Sequence, residues 1–240
     1  MKTKIKFASI LTFFLMISVP EIYPQNLDLN LNLLYGVPKN EFSDNLEGGR
    51  GFGLAGSLGY HLGNSPLRVG LEVGALIYGS ETRKEPFPNI PEVTLDVKTS
   101  NNILLLHPLI RIQGKSGFFR PYLDGLIGWH YFFTKTEIKS EDDIDEEPIF
   151  SSTQKEDWVF SYGLGGGLMI RIINKLNKEQ KSDSQEKEVL LDFRVRYLYG
   201  GKAEYLKQGS VRRENGQVFY DVLNSKTDML TFQLGVVYTF

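Results

Sequence analysis

The sequence predicts an all-β fold: an eight-stranded antiparallel up-and-down transmembrane β-barrel, preceded by a cleavable signal peptide. Three observations predict it. Apolar and polar residues alternate with a period of two over most of the 240-residue chain. The alternating segments are connected by a short turn at one end and a long polar loop at the other, as in membrane barrels. The chain opens on a basic, then apolar, then polar segment.

The opening segment has the three parts of a secretory signal. Three lysines lie within the first six residues, and an uncharged apolar run follows over 7–19. That run is shorter than the roughly 20 residues that a membrane-spanning helix needs. We therefore expect residues 1–25 to be a signal peptide and residues 26–240 to form the barrel domain.

Eight alternating segments are expected to be strands. In the last of them, Leu230, Phe232 and Leu234 share one face with Val236, while polar or small residues occupy the other. Most segments exceed the roughly 9–11 residues that a tilted strand needs to cross a bilayer. The strands are expected at about 27–37, 50–62, 66–80, 93–113, 117–137, 156–173, 188–208 and 226–240.

The connections differ between the two ends of the predicted barrel. Tight turns are expected at 63–65 and 114–116. The opposite end carries long polar loops, which are expected at about 38–49, 81–92, 138–155 and 209–222. The long, charged connection 174–187 is the exception, and we expect a flexible insertion there on the short-turn side.

Two features predict that the apolar face points at lipid. The polar face is rich in glycine, which suits the crowded lumen of a small barrel: Gly53, Gly59, Gly70, Gly74, Gly163, Gly165 and Gly167. Aromatic residues gather at both strand ends, as at two membrane interfaces. They are Tyr60, Phe118, Phe119, Tyr238 and Phe240 at the short-turn rim, and Tyr78, Tyr131, Phe133, Trp158 and Tyr199 at the long-loop rim. The alternative is a soluble secreted lipocalin-like barrel, which would bind a small apolar ligand and reverse the two faces.

The signal-like start, the eight segments and a closing Gly-Val-Val-Tyr-Thr-Phe that ends at Phe240 resemble the OmpA-like small outer-membrane β-barrel family. The resemblance covers the whole of 26–240. It implies location in the outer membrane, with lipid and lipopolysaccharide as neighbours. It also implies that the barrel assembly machinery reads Tyr238 and Phe240 as an assembly signal. The family's peptidoglycan-binding domain is not expected, since the sequence ends with its last strand.

Ten polar residues are expected to line the lumen as a network. An eight-stranded barrel is only just wide enough for its own side chains, and charges in so narrow a space must pair. Hairpin geometry predicts that His107 faces Asp124 and that Arg171 lies near Asp192. A polar plug is the simplest interpretation; a gated pore and a His/Asp catalytic pair are the alternatives. The residues are Arg68, Glu72, His107, Arg111, Asp124, His130, Arg171, Asp192, Arg194 and Arg196.

The remaining motifs are weak. The acidic run 141–147 could bind divalent cations but lacks EF-hand spacing, so a solvated loop is the simpler interpretation. The glycine run 163–167 lacks the helix and the Gly-Lys-Ser/Thr of a phosphate loop. The basic residues of the last long loop could contact lipopolysaccharide phosphates, although ordinary surface charge explains them equally: Lys202, Lys207, Arg212 and Arg213.

Composition narrows the function. The chain has no Cys, three dispersed His residues and a net charge of -2, so we expect no disulfide, no metal site, no cofactor and no nucleic-acid partner. We expect no enzyme, but a structural or interaction role through the surface loops, with a surface-loop or periplasmic protein as partner. A narrow low-conductance porin is the alternative; it is motivated by five lumen arginines against three lumen carboxylates.

Overall fold

Twelve strands and one short helix occupy the residues that the computed structural model describes: 26–46, 48–87, 90–114, 116–140, 150–174, 188–207, 209–210, 212–214 and 217–239. The elements are β1 (Leu27–Pro38), α1 (Asn40–Asn45), β2 (Gly51–His61), β3 (Leu67–Phe87), β4 (Ile90–Gln113), β5 (Phe119–Ser140), β6 (Phe150–Asn174), β7 (Glu188–Gly200), β8 (Lys202–Leu206), β9 (Arg212–Glu214), β10 (Gln217–Phe219), β11 (Val222–Lys226) and β12 (Met229–Thr239). Among these residues no helix is long and apolar enough to cross a membrane.

Eight of the strands close into an antiparallel barrel in the order β1-β12-β7-β6-β5-β4-β3-β2. Each barrel strand pairs with the next barrel strand along the chain, and β12 closes the ring by pairing with β1. At the seam Leu33 lies opposite Leu234 on one side and opposite Leu54 on the other. Because the first and last barrel strands meet, the barrel has no open edge at this level. The predicted eight-stranded antiparallel barrel is confirmed.

The short-turn end is built as predicted between β2 and β3. The Leu62 amide donates to the Leu67 carbonyl (3.0 Å), and Gly63 adopts a positive φ of 53°, which suits glycine in a tight turn. Between β4 and β5 the turn is wider than predicted. Gln113 pairs with Tyr122, and the Gly114 amide donates to the Pro121 carbonyl (3.1 Å), so the chain turns between Gly114 and Pro121. That difference moves every pairing along the β4–β5 hairpin.

Strands β3 to β6 run well past the predicted loop boundaries. The predicted loop 81–92 is mostly strand, because β3 continues to Phe87 and β4 starts at Ile90. The predicted loop 138–155 is likewise strand at both of its ends. In β3 the residues 81–84 are all polar or charged, so they lack the alternation that marks a strand with one buried face. Backbone pairing continues there without that pattern.

The predicted strand 188–208 is wrong as a single element. Strand β7 ends at Gly200, and the chain then leaves the barrel to form β8, which pairs with β11. A side chain at Gly200 would collide with Thr227, so the two glycines 200 and 201 allow the chain to bend where the returning segment crosses it. Accordingly β12 begins at Met229 rather than near 226.

Helix α1, the β8–β11 hairpin and the outer ends of β3–β6 cover the long-loop end; we call them the outer cap. The Asn101 side chain donates to the Leu206 carbonyl (3.3 Å), and the Lys226 amide donates to Glu41 Oε2 (3.1 Å). The Lys155 ammonium donates to the Glu204 carboxylate (2.6 Å), and this hydrogen bond lowers the pKa of Glu204. These contacts fix the cap on the barrel mouth.

An aromatic cluster lies beneath the cap. Phe42 of α1 is buried, and its ring meets the edges of Tyr205, Tyr78 and Phe132 at centroid distances of 5.3, 5.7 and 5.8 Å. Tyr78 therefore points inward, and its predicted place in the outer aromatic girdle is wrong. The inward-facing Leu34, Leu76, Ile103 and Leu105 pack against this cluster and continue it into the barrel. The upper interior is thus apolar.

Some predictions concern residues outside the described part of the chain. They are the signal peptide 1–25, the acidic run 141–147, most of the insertion 174–187 and the terminal Phe240. These stay predictions.

Candidate functional site

The candidate site is the barrel interior, and its centre is a charged cluster around Glu72. This carboxylate of β3 accepts hydrogen bonds from two arginines of β7. Arg194 Nη1 lies 2.6 Å from Oε2, and Arg196 Nη1 lies 2.6 Å from Oε1. Gln233 of β12 donates a third bond at 3.3 Å. Side chains of a strand alternate between its two faces, so Arg194 and Arg196 share one face of β7. The Glu72 carboxylate can therefore bind both.

A second acid, Asp124 of β5, holds the other side of the cluster. Arg196 Nη2 donates to its Oδ2 (2.5 Å), while Arg111 of β4 makes a bidentate pair at 2.6 and 3.0 Å. The Arg111 guanidinium lies 3.6 Å from the centroid of the Tyr122 ring. Tyr122 donates to Asp192 (2.5 Å) and accepts from Arg194 Nε (2.8 Å). Charge-assisted bonds of this kind are the strong ones, and in this cluster they link β3, β4, β5, β7 and β12.

Two smaller charged groups lie nearer the short-turn end. Arg68 pairs with Asp28 of β1, which also contacts His61 Nε2 at 2.9 Å. Glu188 pairs with Arg120 (2.6 Å) and Arg171 (3.1 Å) at the rim. A polar pocket of about 370 Å³ lies between these groups.

Two histidines separate the charged cluster from the apolar upper interior. His107 Nε2 lies 2.6 Å from Ser161 Oγ. The His130 ring meets the His107 ring edge-on, with centroids 5.3 Å apart. Both His130 nitrogens lack a hydrogen-bond partner in the described part of the chain.

Glycine makes room for the arginines. A side chain at Gly59 would occupy the position of the Arg68 guanidinium, and one at Gly165 would collide with the stem of Arg196. Because a small barrel leaves little interior volume, these two arginines need a neighbouring strand position without a side chain. This explains Gly59 and Gly165 of the polar face in physical terms.

The structure places nine of the ten predicted residues in the buried interior, each 3% exposed or less: Arg68, Glu72, His107, Arg111, Asp124, His130, Asp192, Arg194 and Arg196. The tenth, Arg171, lies at the short-turn rim with its side chain 29% exposed.

Both predicted pairings are wrong. His107 faces Glu72 rather than Asp124, whose cross-strand partner is Arg111, because the β4–β5 turn is wider than assumed. Arg171 faces Leu190 rather than Asp192, whose partner on β6 is Met169.

Sequence reasoning missed several buried polar groups. Asp28 and Asn30 alternate with leucines in β1, a pattern that could have identified them. Asp28 neutralises Arg68, so in the described interior four arginines face four carboxylates: Arg68, Arg111, Arg194 and Arg196 against Asp28, Glu72, Asp124 and Asp192. Arg171 likewise pairs with Glu188. The predicted excess of positive lumen charge is therefore wrong.

The outer wall of the barrel is apolar, in contrast to the charged interior. Leu31, Leu123 and Leu164 are 64%, 67% and 69% exposed, and they belong to a belt of outward-facing aliphatic and aromatic side chains. A belt of this kind around a closed barrel with buried charges inside faces lipid. The protein folds as a transmembrane β-barrel of the outer-membrane type. The lipocalin-like alternative, which needs a polar outside and an apolar inside, is not favoured.

Comparison with solved structures gives matches at low identity. Neisserial surface protein A aligns over 89% of this chain and 97% of its own, at 12% identity and a TM-score of 0.41. Ail of Yersinia pestis aligns over 90% and 99%, at 14% identity and 0.40. The N-terminal β-barrel domain of Pseudomonas aeruginosa OprF aligns over 90% and 98%, at 11% identity and 0.32. No protein-family model and no curated protein matches the chain. The assignment rests on the geometry of the chain itself.

Proposed function

We propose that the barrel is non-enzymatic, that its own side chains close its lumen, and that it acts through contacts at its outer cap. The observation that carries the contact role is an apolar patch outside the barrel strands. Phe219 ends β10, Tyr220 follows it and Val222 begins the cap strand β11, and all three side chains are exposed. Exposed apolar side chains that do not face lipid are typical of interaction surfaces.

The closed lumen is supported by two successive layers. Paired charges around Glu72 and Asp124 fill the centre, and the Phe42 cluster fills the upper interior. An ion crossing the barrel would have to separate these pairs and then pass an apolar layer, and both steps are costly.

The test of the contact role uses a deletion strain that carries wild-type or variant protein. We expect the Phe219→Ser/Tyr220→Ser variant to reach the outer membrane but to lose attachment of whole cells to a second cell. The matched control, Lys202→Ser/Lys226→Ser, changes exposed residues elsewhere on the cap and should attach normally. Equal attachment by the patch variant and the wild type would contradict the proposal, as would normal attachment by the deletion strain.

One observation favours a second function, a narrow low-conductance pore. The polar pocket between Asp28 and Glu188 is a water-accessible mouth at the short-turn end. Conduction would require a path onward through the charged cluster. Channel recording distinguishes the two functions.

The remaining partners are proposals as well. Lipopolysaccharide would surround the outer rim, and a periplasmic protein could bind at the short-turn end. Tyr238 of β12 lies opposite Leu29 and Val189, and its recognition by the barrel assembly machinery, together with Phe240, stays a prediction.

A further inference from the structure

The pocket at the short-turn end lies among the last inward-facing residues of three neighbouring strands. Asp28 of β1 lies opposite Thr239 of β12, which in turn lies opposite Glu188 of β7. The other lining residues with charged or titratable side chains are His61 of β2, Arg120 of β5 and Arg171 of β6. The pocket volume of about 370 Å³ falls within the range of roughly 300–1,000 Å³ that small-molecule sites occupy.

The floor of this pocket is apolar. One step further into the barrel, Val237 lies opposite Leu190, and Met169 belongs to the same buried apolar cluster. Each of these three side chains is 3% exposed or less, and each lines the pocket. Tyr122 completes the cluster, and its hydroxyl donates to Asp192 of the charged interior. The pocket therefore combines a charged rim with an apolar floor.

The rim has one guanidinium group more than its carboxylates neutralise. Arg120 and Arg171 both donate to Oε1 of Glu188, at 2.9 and 3.1 Å. Asp28 already pairs with Arg68 of the interior, and the described residues that line the pocket include no third carboxylate. The interior charges balance, so this surplus belongs to the rim. A carboxylate from outside the chain would form charge-assisted hydrogen bonds there.

We propose that the pocket binds a small monocarboxylate that has an apolar body. Its carboxylate accepts hydrogen bonds from Arg171 and Arg120 beside Glu188, and its apolar body lies on the floor formed by Met169, Leu190 and Val237. A dianion such as phosphate fits less well, because only one positive charge is in surplus and the floor is apolar. This inference concerns the short-turn end alone and does not depend on the contact role of the cap.

The test measures binding by ligand-observed NMR to folded protein in lipid nanodiscs, with empty nanodiscs as the reference. Heat-dependent gel mobility confirms that each variant is folded. The probes are 3-phenylpropanoate, a free organic acid, and N-acetyl-alanyl-leucine, which carries its carboxylate as a peptide C-terminus does. Two control compounds each lack one feature: 3-phenylpropan-1-ol lacks the charge, and acetate lacks the apolar body. We expect both carboxylate probes to bind at least about tenfold more tightly than either control compound.

Three variants test the rim. Arg171→Gln removes the surplus charge and should weaken binding of 3-phenylpropanoate by about tenfold or more. Glu188→Gln releases both guanidinium groups from the carboxylate of the chain, so it should strengthen binding. Arg50→Gln removes an exposed arginine that precedes β2 at the opposite end of the barrel, and it should bind as the wild type does.

Equal binding by Arg171→Gln and the wild type would overturn the proposal, and so would weaker binding by folded Glu188→Gln. Equal affinity for 3-phenylpropanoate and 3-phenylpropan-1-ol, or no binding of either carboxylate probe to the wild type, would overturn it too. Where binding depends on Arg171, the tighter of the two carboxylate probes identifies the source of the ligand as a free acid or a peptide C-terminus. Channel recordings and cell attachment do not enter these outcomes, so the proposed function can fail separately.

Discussion

Replacing Glu72 with alanine is expected to destabilise the folded barrel by about 3–5 kcal/mol, the usual cost of removing one partner from a buried ion pair. The cost is at the upper end because Glu72 holds two guanidinium groups, those of Arg194 and Arg196, with 2.6 Å contacts to each. Without it the interior keeps four arginines, each at most 2% exposed, against three carboxylates. Urea unfolding in lipid vesicles, followed by the fluorescence of Trp129 and Trp158, measures the loss.

Two controls separate this effect from simple truncation. Glu204→Gln breaks an exposed ion pair with Lys155 and should leave the unfolding midpoint nearly unchanged. The double variant Glu72→Ala/Arg196→Met restores the balance of charge, so it should be less destabilised than Glu72→Ala alone. If Glu72→Ala were as stable as the wild type, the interior arginines would be hydrated well enough not to need the Glu72 carboxylate.

Replacing Leu31 with arginine is expected to cost about 2–4 kcal/mol, the cost of a cation at the lipid-facing middle of a membrane barrel. Leu31 is 64% exposed on β1 and lies between Val236 and Gly56 of the neighbouring strands. On a soluble barrel the same change would place a charge in water and would be nearly neutral. The variant should therefore fold poorly into vesicles and reach the outer membrane in reduced amount.

Leu31→Ala is the matched control, because it shortens the same side chain without adding charge. It should fractionate with the outer membrane and show the heat-dependent gel shift of the wild type. If Leu31→Arg were as stable as Leu31→Ala, or if the wild type were soluble without a gel shift, the assignment of the lipid-facing wall would be inverted.

The barrel itself could be predicted because lipid and lumen impose opposite chemistry on alternate residues. In β12, Leu234 faces lipid while Gln233 faces the charged cluster, and that alternation is legible in the sequence. The outer cap could not be predicted, because residues 81–84 at the outer end of β3 are all polar or charged and carry no period. Phe42 lies in a short polar segment of the sequence, and nothing in that segment indicates that its side chain fills the barrel mouth.

The sequence predicts which residues line the interior, but it does not predict which of them pair with each other. Period two identifies which residues point inward, but the partner across a hairpin depends on turn length. Because the turn between β4 and β5 is wider than predicted, Asp124 pairs with Arg111 instead of His107. Counting charges from the apparent strands also missed Asp28, which lies at the very start of β1.

The most direct test of the account is single-channel recording from pure refolded protein in planar bilayers, with the gel shift on heating confirming that it is folded. A closed, side-chain-filled lumen predicts membranes that stay silent at voltages where a conducting porin gives steps. Reproducible steps that change in Arg194→Ala would contradict it, and would make the narrow pore the function of the barrel.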